Sequence, residues 1–351
     1  MAEKEPWKPF HYTPSATLAI IFAALFGATT LLHTFQLFKK RTWYLVPLIL
    51  GGYLEVIGFI ARYFSRANNF SILAPFLIQA IFILIAPTLF AASIYIILGR
   101  IILLVDGERY SWVRQRHLTW AFVMGDVLSL NLQSNGGGLT SGRTPAAIKV
   151  GEILIILGLF AQLAFFGLFI AVAAVFHYRL VHDRPVKKHV SFRWARPLAF
   201  WRRWSWFHRN KVERPNSSNY ASHGGEGPAT ASAVTAAAVV DASELPWKRH
   251  IVVLYVTSVL VLVRSVFRLV EYIQGKDGYL LSREVYLYAC DAALMVVVLG
   301  LFNLVHPSQI SELYERRVRG REEGVVGVEL EGLRKDGGRG EGAGAEGVDR
   351  R

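Results

Sequence analysis

The chain has one cysteine, Cys290, among 351 residues. An intramolecular disulfide is excluded, so the fold must hold by packing and polar contacts. The signatures of several enzyme and pump classes are also missing. There is no HExxH pair, no nucleophile elbow and no His-rich metal face, so enzymatic activity, a metal and a cofactor are not expected. The glycine triplet Gly136-Gly137-Gly138 is not followed by Lys-Ser or Lys-Thr at phosphate-loop spacing. No other nucleotide-binding signature occurs, which argues against an ATP-driven pump. The first fourteen residues are acidic and basic in equal number and lack the basic n-region of a cleavable signal. The first apolar run is therefore expected to remain as an uncleaved anchor.

What the sequence has in abundance is hydrocarbon, with 53% hydrophobic and 13% aromatic residues. These are bunched into seven runs: Ser15–Phe38, Trp43–Phe64, Leu73–Leu104, His117–Leu132, Val150–Tyr178, His250–Ile273 and Glu284–Val305. Runs of about 18 or more mostly apolar residues are long enough to cross a bilayer as helices. The expected fold is an all-α polytopic integral membrane protein with seven transmembrane helices. The third and fifth runs exceed bilayer thickness and must tilt, kink or extend beyond it.

The formal charge of +13 raises the question of nucleic acid. Its distribution favours a membrane instead. With Arg62, Arg264 and Arg268 set aside, 29 Lys and Arg fall on one predicted side and 7 on the other. The positive-inside rule then places the amino terminus outside and the carboxyl terminus in the cytosol, with no nucleic-acid partner. The expected organisation is an extracellular segment 1–14, a membrane domain 15–310 and a disordered cytosolic tail 311–351. Residues 179–249 form a basic cytosolic loop that holds Trp194, Trp201, Trp204 and Trp206, suited either to the inner interface or to a plain stop-transfer role. Within it, residues 213–245 are rich in Ser, Ala and Gly and read as a disordered linker. Asn69-Phe70-Ser71 is a glycosylation sequon on the predicted outer side, and Asn216-Ser217-Ser218 a silent one on the cytosolic side.

A charge inside a span costs about 2.5–3.5 kcal/mol on insertion scales, so intramembrane ionisable groups mark sites or structural pairs. The stretch from Leu262 to Asp291 carries the most. Arg264, Arg268 and Glu271 share one helical face, and after a short Gly-rich turn Glu284 and Asp291 lie seven apart on another. In the second run Glu55, Gly58 and Arg62 occupy successive turns, with Glu55 and Arg62 about 10 Å apart along the axis. The third run holds Gln79, Pro87 and Tyr95, and Pro87 should kink its helix, which serves either packing or a substrate site. The fourth run carries Asp126 and is expected to end in Gln133 and the glycines, where Gly136 and Gly137 permit backbone freedom or close helix approach. His33, near the end of the first run, reads as a packed residue rather than a ligand.

The order EVIGFIAR, IAPTLFAASIY, DVLSLNLQSNGGG, RSVFRLVEYIQGKDGYLLSREVYLYACD and HP resembles the fungal RTA-like family of lipid-translocating exporters, from about Tyr12 to Pro307. The resemblance implies seven spans and a connection with sphingoid long-chain-base export, sterol-like drug resistance or porphyrin transport. It carries the family's polar pattern onto Glu55, Gly58, Arg62, Pro87, Tyr95, Asp126, Gln133, Gly136, Gly137, Arg264, Arg268, Glu271, Glu284 and Asp291. Phe59 stands where the family often has Tyr. No catalytic residue is implied.

Within the spans three arginines face Glu55, Asp126, Glu271 and Asp291, with Glu284 at the rim. One acid in excess must be protonated or met by an external cation. A long-chain base is an amine with a hydrocarbon tail, suited to a polar site that opens sideways to lipid. The expected function is translocation of amphiphilic lipids, with Glu55 or Asp291 receiving the amine and the arginines holding the other carboxylates. The expected partners are membrane lipids and the substrate itself, and the expected location is the plasma membrane or another secretory membrane. A fully self-paired structural network and a seven-helix lipid sensor are the alternatives.

Overall fold

In the computed structural model the apolar runs become helices whose ends are set by local chemistry. The structure describes residues 14–65, 73–105, 107–111, 115–140, 144–186, 247–275, 278–280 and 283–316. Helix α1 (Ala16–Lys40) starts where the Ser15 hydroxyl accepts the Leu18 N–H at 3.4 Å, satisfying one orphan donor of the first turn. It ends at Arg41, in the left-handed region (φ 50°), whose N–H returns to the Leu37 carbonyl. Lys39 and Lys40 place positive charge in its last turn, where the helix dipole favours it.

A 3-10 turn, Trp43–Leu45, leads into α2 (Val46–Phe64), with Pro47 where a missing N–H removes no helical bond. Helix α3 (Leu73–Leu104) and α5 (Pro145–Val181) have 32 and 37 residues. At 1.5 Å per residue they are about 48 and 55 Å long, well beyond a hydrocarbon core of about 30 Å. Between them lies α4 (Gln115–Thr140). Thr144 caps α5, its hydroxyl accepting the Ala147 N–H. Helix α6 (Trp247–Gln274) stops at Gly275, whose φ of 73° is one that a side chain would strain. Helix α7 (residues 284–304) changes character on the way. It is α over Glu284–Leu287, π over Tyr288–Ala292 and α again over Ala293–Leu304. Among the described residues there is no strand.

Consecutive helices pack on one another, and α1 closes the ring against α7. Helix α3 also reaches α5 and α6. It is the central helix, with Phe90, Ser93, Ile94, Tyr95 and Leu98 all inaccessible. The outward faces are the reverse of a water-soluble protein's, since Leu31, Phe35, Phe160, Leu168, Val252 and Ile273 are all exposed. So much exposed apolar surface fits a bilayer and not water. The chain is a multi-pass membrane protein.

Six of the seven helices are long and apolar enough to cross a membrane, and α4 is not among them. Asp126, Asn131, Gln133 and Asn135 dilute its hydrocarbon. The seventh crossing expected from the sequence is therefore not established by length and composition. Helix α4 also runs further than expected, through the glycine triplet to Thr140 rather than stopping at Leu132. Gly136 of that triplet serves packing: a Cβ on it would lie 2.6 Å from the Gly151 carbonyl oxygen of α5, and from the α5 side a Cβ on Gly158 would lie 2.8 Å from the Ser129 carbonyl oxygen of α4. These contacts bring the backbones of α4 and α5 together. A Cβ on Gly137 would meet nothing within 4 Å, so close approach belongs to Gly136 alone of that pair.

The chain divides into two compact units, residues 1–196 with 247–309 and residues 197–246 with 310–351. All seven helices belong to the first. A short helical segment, residues 308–316, follows α7. The extracellular segment before Pro14, both sequons, the tryptophans of the basic loop, the linker 213–245 and the tail from Gly320 lie outside the described residues.

Candidate functional site

The end of α2 and the beginnings of α1 and α7 meet at one face of the bundle. There Arg62 donates from Nη2 to Glu284 Oε1 at 2.8 Å and from Nε to the Tyr288 hydroxyl at 3.1 Å. Glu284 also accepts the Ser15 backbone N–H, at 2.8 and 3.0 Å to its two oxygens. One carboxylate thus ties the start of α1 to α2 and α7. Ser65, one turn after Arg62, donates to the Arg62 carbonyl at 2.9 Å and to Gln79 Oε1 on α3 at 3.3 Å. Arg62 is almost fully buried, so these contacts replace its hydration shell.

Deeper in the bundle a second network joins α6, α7 and α3. Arg264 pairs through Nε with Asp291 Oδ1, and its Nη2 donates to the Ile83 carbonyl at 2.9 Å. That carbonyl is available because residue 87, four positions on, is a proline without an N–H. The polar group that Pro87 leaves unsatisfied in α3 is capped by an arginine of α6. Gly58 lets α2 approach the same residue of α3, since a Cβ there would lie 2.8 Å from Ile83 Cγ1. Arg268 pairs with Glu271 at 2.8 Å and lies 3.9 Å from Asp291 Oδ2. Arg268 therefore only approaches Asp291, and the closer partner of that carboxylate is Arg264, one turn further in.

The π segment accounts for the partners. Seven-residue spacing would put Glu284 and Asp291 on one face, but a π turn slips the register between them. Glu284 and Tyr288, four apart, share Arg62, while Asp291 addresses α6. Tyr288 is a site residue that charge counting misses, although its position one turn after Glu284 could have suggested it.

Three arginines thus hold three carboxylates: Arg62 with Glu284, Arg264 with Asp291, and Arg268 with Glu271. Glu55 is the fourth acid of this region. It is 1% exposed, and among the described residues neither of its oxygens has a hydrogen-bond partner. It lies within electrostatic reach of Asp291, Arg264 and Arg268 but forms an ion pair with neither arginine. Arg62, on the same helix, does not turn back to it.

Asp126 and Gln133 belong to a different part of the bundle. Tyr95 donates to Asp126 Oδ2 at 2.8 Å, within a ring cluster of Tyr95, Phe122, Phe166 and Phe169. Gln133 donates to Gln162 at 3.1 Å, and Gln162 to Thr88 at 3.3 Å, a ladder across α4, α5 and α3. Gln162 was missed in the sequence, although it is the lone polar side chain in the apolar stretch 153–176 of α5. His33 is packed, its Nε2 3.1 Å from the Leu299 carbonyl of α7.

Helices α1 and α2 touch where a Cβ on Gly52 would collide with Thr30. Towards the Ser15 end they leave an apolar groove of about 350 Å³, lined by Ala19, Ala23 and Ala24 on one side and Phe59, Ile60 and Tyr63 on the other. Phe59 is its link to the polar interior. Its ring lies 5.9 Å from that of Tyr288, and on α2 it falls between Glu55 and Arg62.

A family model described as RTA1 like protein matches residues 48–313. The chain belongs to the RTA1-like family. Three Saccharomyces cerevisiae proteins illustrate the relationship. Protein RTA1 is 30% identical over 91% of this chain and 91% of its own length. Protoporphyrin uptake protein 1 is 28% identical over 84% and 90%. Sphingoid long-chain base transporter RSB1 is 26% identical over 84% and 72%. No solved structure matches. The match to the family model contains every residue of both polar networks except Ser15.

Proposed function

We propose that this RTA1-like protein translocates amphiphilic lipids bearing an amine, with sphingoid long-chain bases the best-fitting class. The observation that carries the reading is the count of charges around Glu55: three arginines are committed to three other carboxylates, and the fourth acid is buried among them with no hydrogen-bond partner among the described residues. An ammonium group supplies the missing positive charge and three hydrogen-bond donors, which makes it the natural counterpart of a carboxylate in low dielectric. The hydrocarbon tail lies along the α1–α2 groove, with Phe59 between groove and carboxylate. Two relatives named for sphingoid-base transport and protoporphyrin uptake support a lipid-like cargo.

In this reading α4 is the seventh crossing, with Asp126 and Gln133 turned to α3 and α5 and its shortfall in hydropathy offset by the Tyr95–Asp126 and Gln133–Gln162 contacts. The amino terminus is outside and the carboxyl terminus cytosolic, as the 29-to-7 charge asymmetry favours. The plasma membrane is the proposed location. The experiment that tests the function is reconstitution of the purified protein into vesicles with labelled long-chain base. Protein-dependent transfer between leaflets supports it, and transfer no faster than in protein-free vesicles rejects it.

A further inference from the structure

A buried carboxylate that serves a transported cation must also be accommodated when the cation has left. For Glu55 no described side chain takes over. The surroundings hold Arg264 and Arg268 from α6 and Asp291 from α7, and these arginines are paired with Asp291 and Glu271. Helix α1 has no Asp, Glu, Lys or Arg between Ala16 and Phe38, and its His33 is turned to the Leu299 carbonyl. Helix α3 carries only Arg100, which sits 3.6 Å from the ring centroid of Tyr44. On α2 itself Arg62 is engaged by Glu284 and Tyr288. The groups around Glu55 therefore balance one another in charge and leave its own uncompensated.

A bare carboxylate in such a place is strongly disfavoured even after relaxation. Two small cations remove that cost, a proton and an ammonium group, and the carboxylate has room in its charge for one of them at a time. Building on the transport reading, we propose that the protein is an electroneutral exchanger in which one proton and one lipid ammonium group alternate at the Glu55 carboxylate. On the loading side the ammonium group enters, the carboxylic acid O–H breaks and its proton leaves to water, so that R–NH3+ replaces H+ against one carboxylate. On the unloading side a proton from water re-forms the O–H and the ammonium group departs. One positive charge crosses in each direction, no net charge moves, and the pH gradient supplies the driving force.

The test uses the full-length protein in sealed vesicles, with a labelled sphingoid long-chain base outside and a pH-reporting dye within. Initial rates are taken after subtraction of protein-free vesicles, which removes the free amine that crosses unaided. Acidifying the interior by one pH unit should raise the initial rate of protein-dependent uptake, and the final accumulation by up to about tenfold, the limit for one proton per amine. One proton should leave for each amine that enters, and a potassium diffusion potential should leave the rate unchanged. Glu55→Asp keeps an acid and should keep the pH response, whereas Glu55→Gln should lose it. Uptake that follows the potential and ignores the pH gradient overturns the exchange and leaves the transport reading intact. A Glu55→Gln variant that still responds to pH overturns both the exchange and the assignment of the amine to Glu55. If neither gradient produces protein-dependent uptake, the transport reading falls and the exchange with it. If the glutamine variant does not fold, the wild-type measurement still decides the proton stoichiometry, and the pH response of Glu55→Asp tests the carboxylate's part.

Discussion

Arg264 of α6 donates to the carbonyl of Ile83 on α3 at 2.9 Å, and that carbonyl is the one Pro87 deprives of its helical donor. A break in the hydrogen bonding of one helix is thus repaired by a side chain of another. The same guanidinium holds Asp291, so the irregular points of α3 and α7, the proline and the π turn, are tied through one residue. Substituting Pro87→Ala restores the N–H and should make Arg264 less important to α3. Arg264→Lys should therefore destabilise the wild type more than a Pro87→Ala background, with a coupling of about 0.5–3 kcal/mol. Thermal unfolding of the four proteins in detergent measures it, and strict additivity would show that the two residues do not communicate.

Removing one partner of the Arg264–Asp291 pair leaves the other buried and unpaired. Each single alanine variant should lose about 3–5 kcal/mol, with substantial recovery in the double variant. A parallel cycle of Arg268 with Asp291 should show weaker coupling, because their closest charged atoms are 3.9 Å apart and Arg268 is engaged by Glu271. Equal coupling in the two cycles would mean that Arg264 and Arg268 share Asp291 evenly.

The glycines of α4 should separate cleanly. Gly136→Ala drives a methyl group into the backbone of α5 and should cost about 1–3 kcal/mol by overpacking. Gly137→Ala meets open space and should stabilise the helix by about 0.5–1 kcal/mol through lost chain freedom. The melting temperatures of the two variants should move in opposite directions.

Much of this was legible in the sequence, and the illegible parts have physical causes. The helix limits followed from the apolar runs, because a helix in hydrocarbon must be long and satisfy its own backbone. The ends of α4 and its standing as a span were harder to read. Asp126, Gln133 and Gly136 lower its hydropathy while making contacts inside the bundle, Asn131 and Asn135 lower it from the exposed face, and composition cannot separate the two. Partner choice depended on the π turn, which shifts Asp291 relative to Glu284 without any mark in the residue types. The Ile83 carbonyl was hidden because a backbone acceptor has no sequence symbol, yet Pro87 pointed to it from four residues away. The orphaned state of Glu55 emerged only when the pairing of the three arginines was known.

Seven crossings place the two termini on opposite faces of the membrane, and six place them on the same face. Tags at the amino terminus and after Arg351 should therefore differ in intact cells, the first accessible to antibody and the second protected. Equal accessibility would remove α4 from the spans.

The central claim is that Glu55 receives the amine. Its most direct test compares wild type with Glu55→Gln, which keeps the shape and discards the charge, in vesicles carrying labelled long-chain base. With normal thermal stability and monodispersity, the variant should lose protein-dependent transfer between leaflets, while Glu55→Asp retains part of it. Transfer at the wild-type rate by a well-folded Glu55→Gln protein would contradict the account.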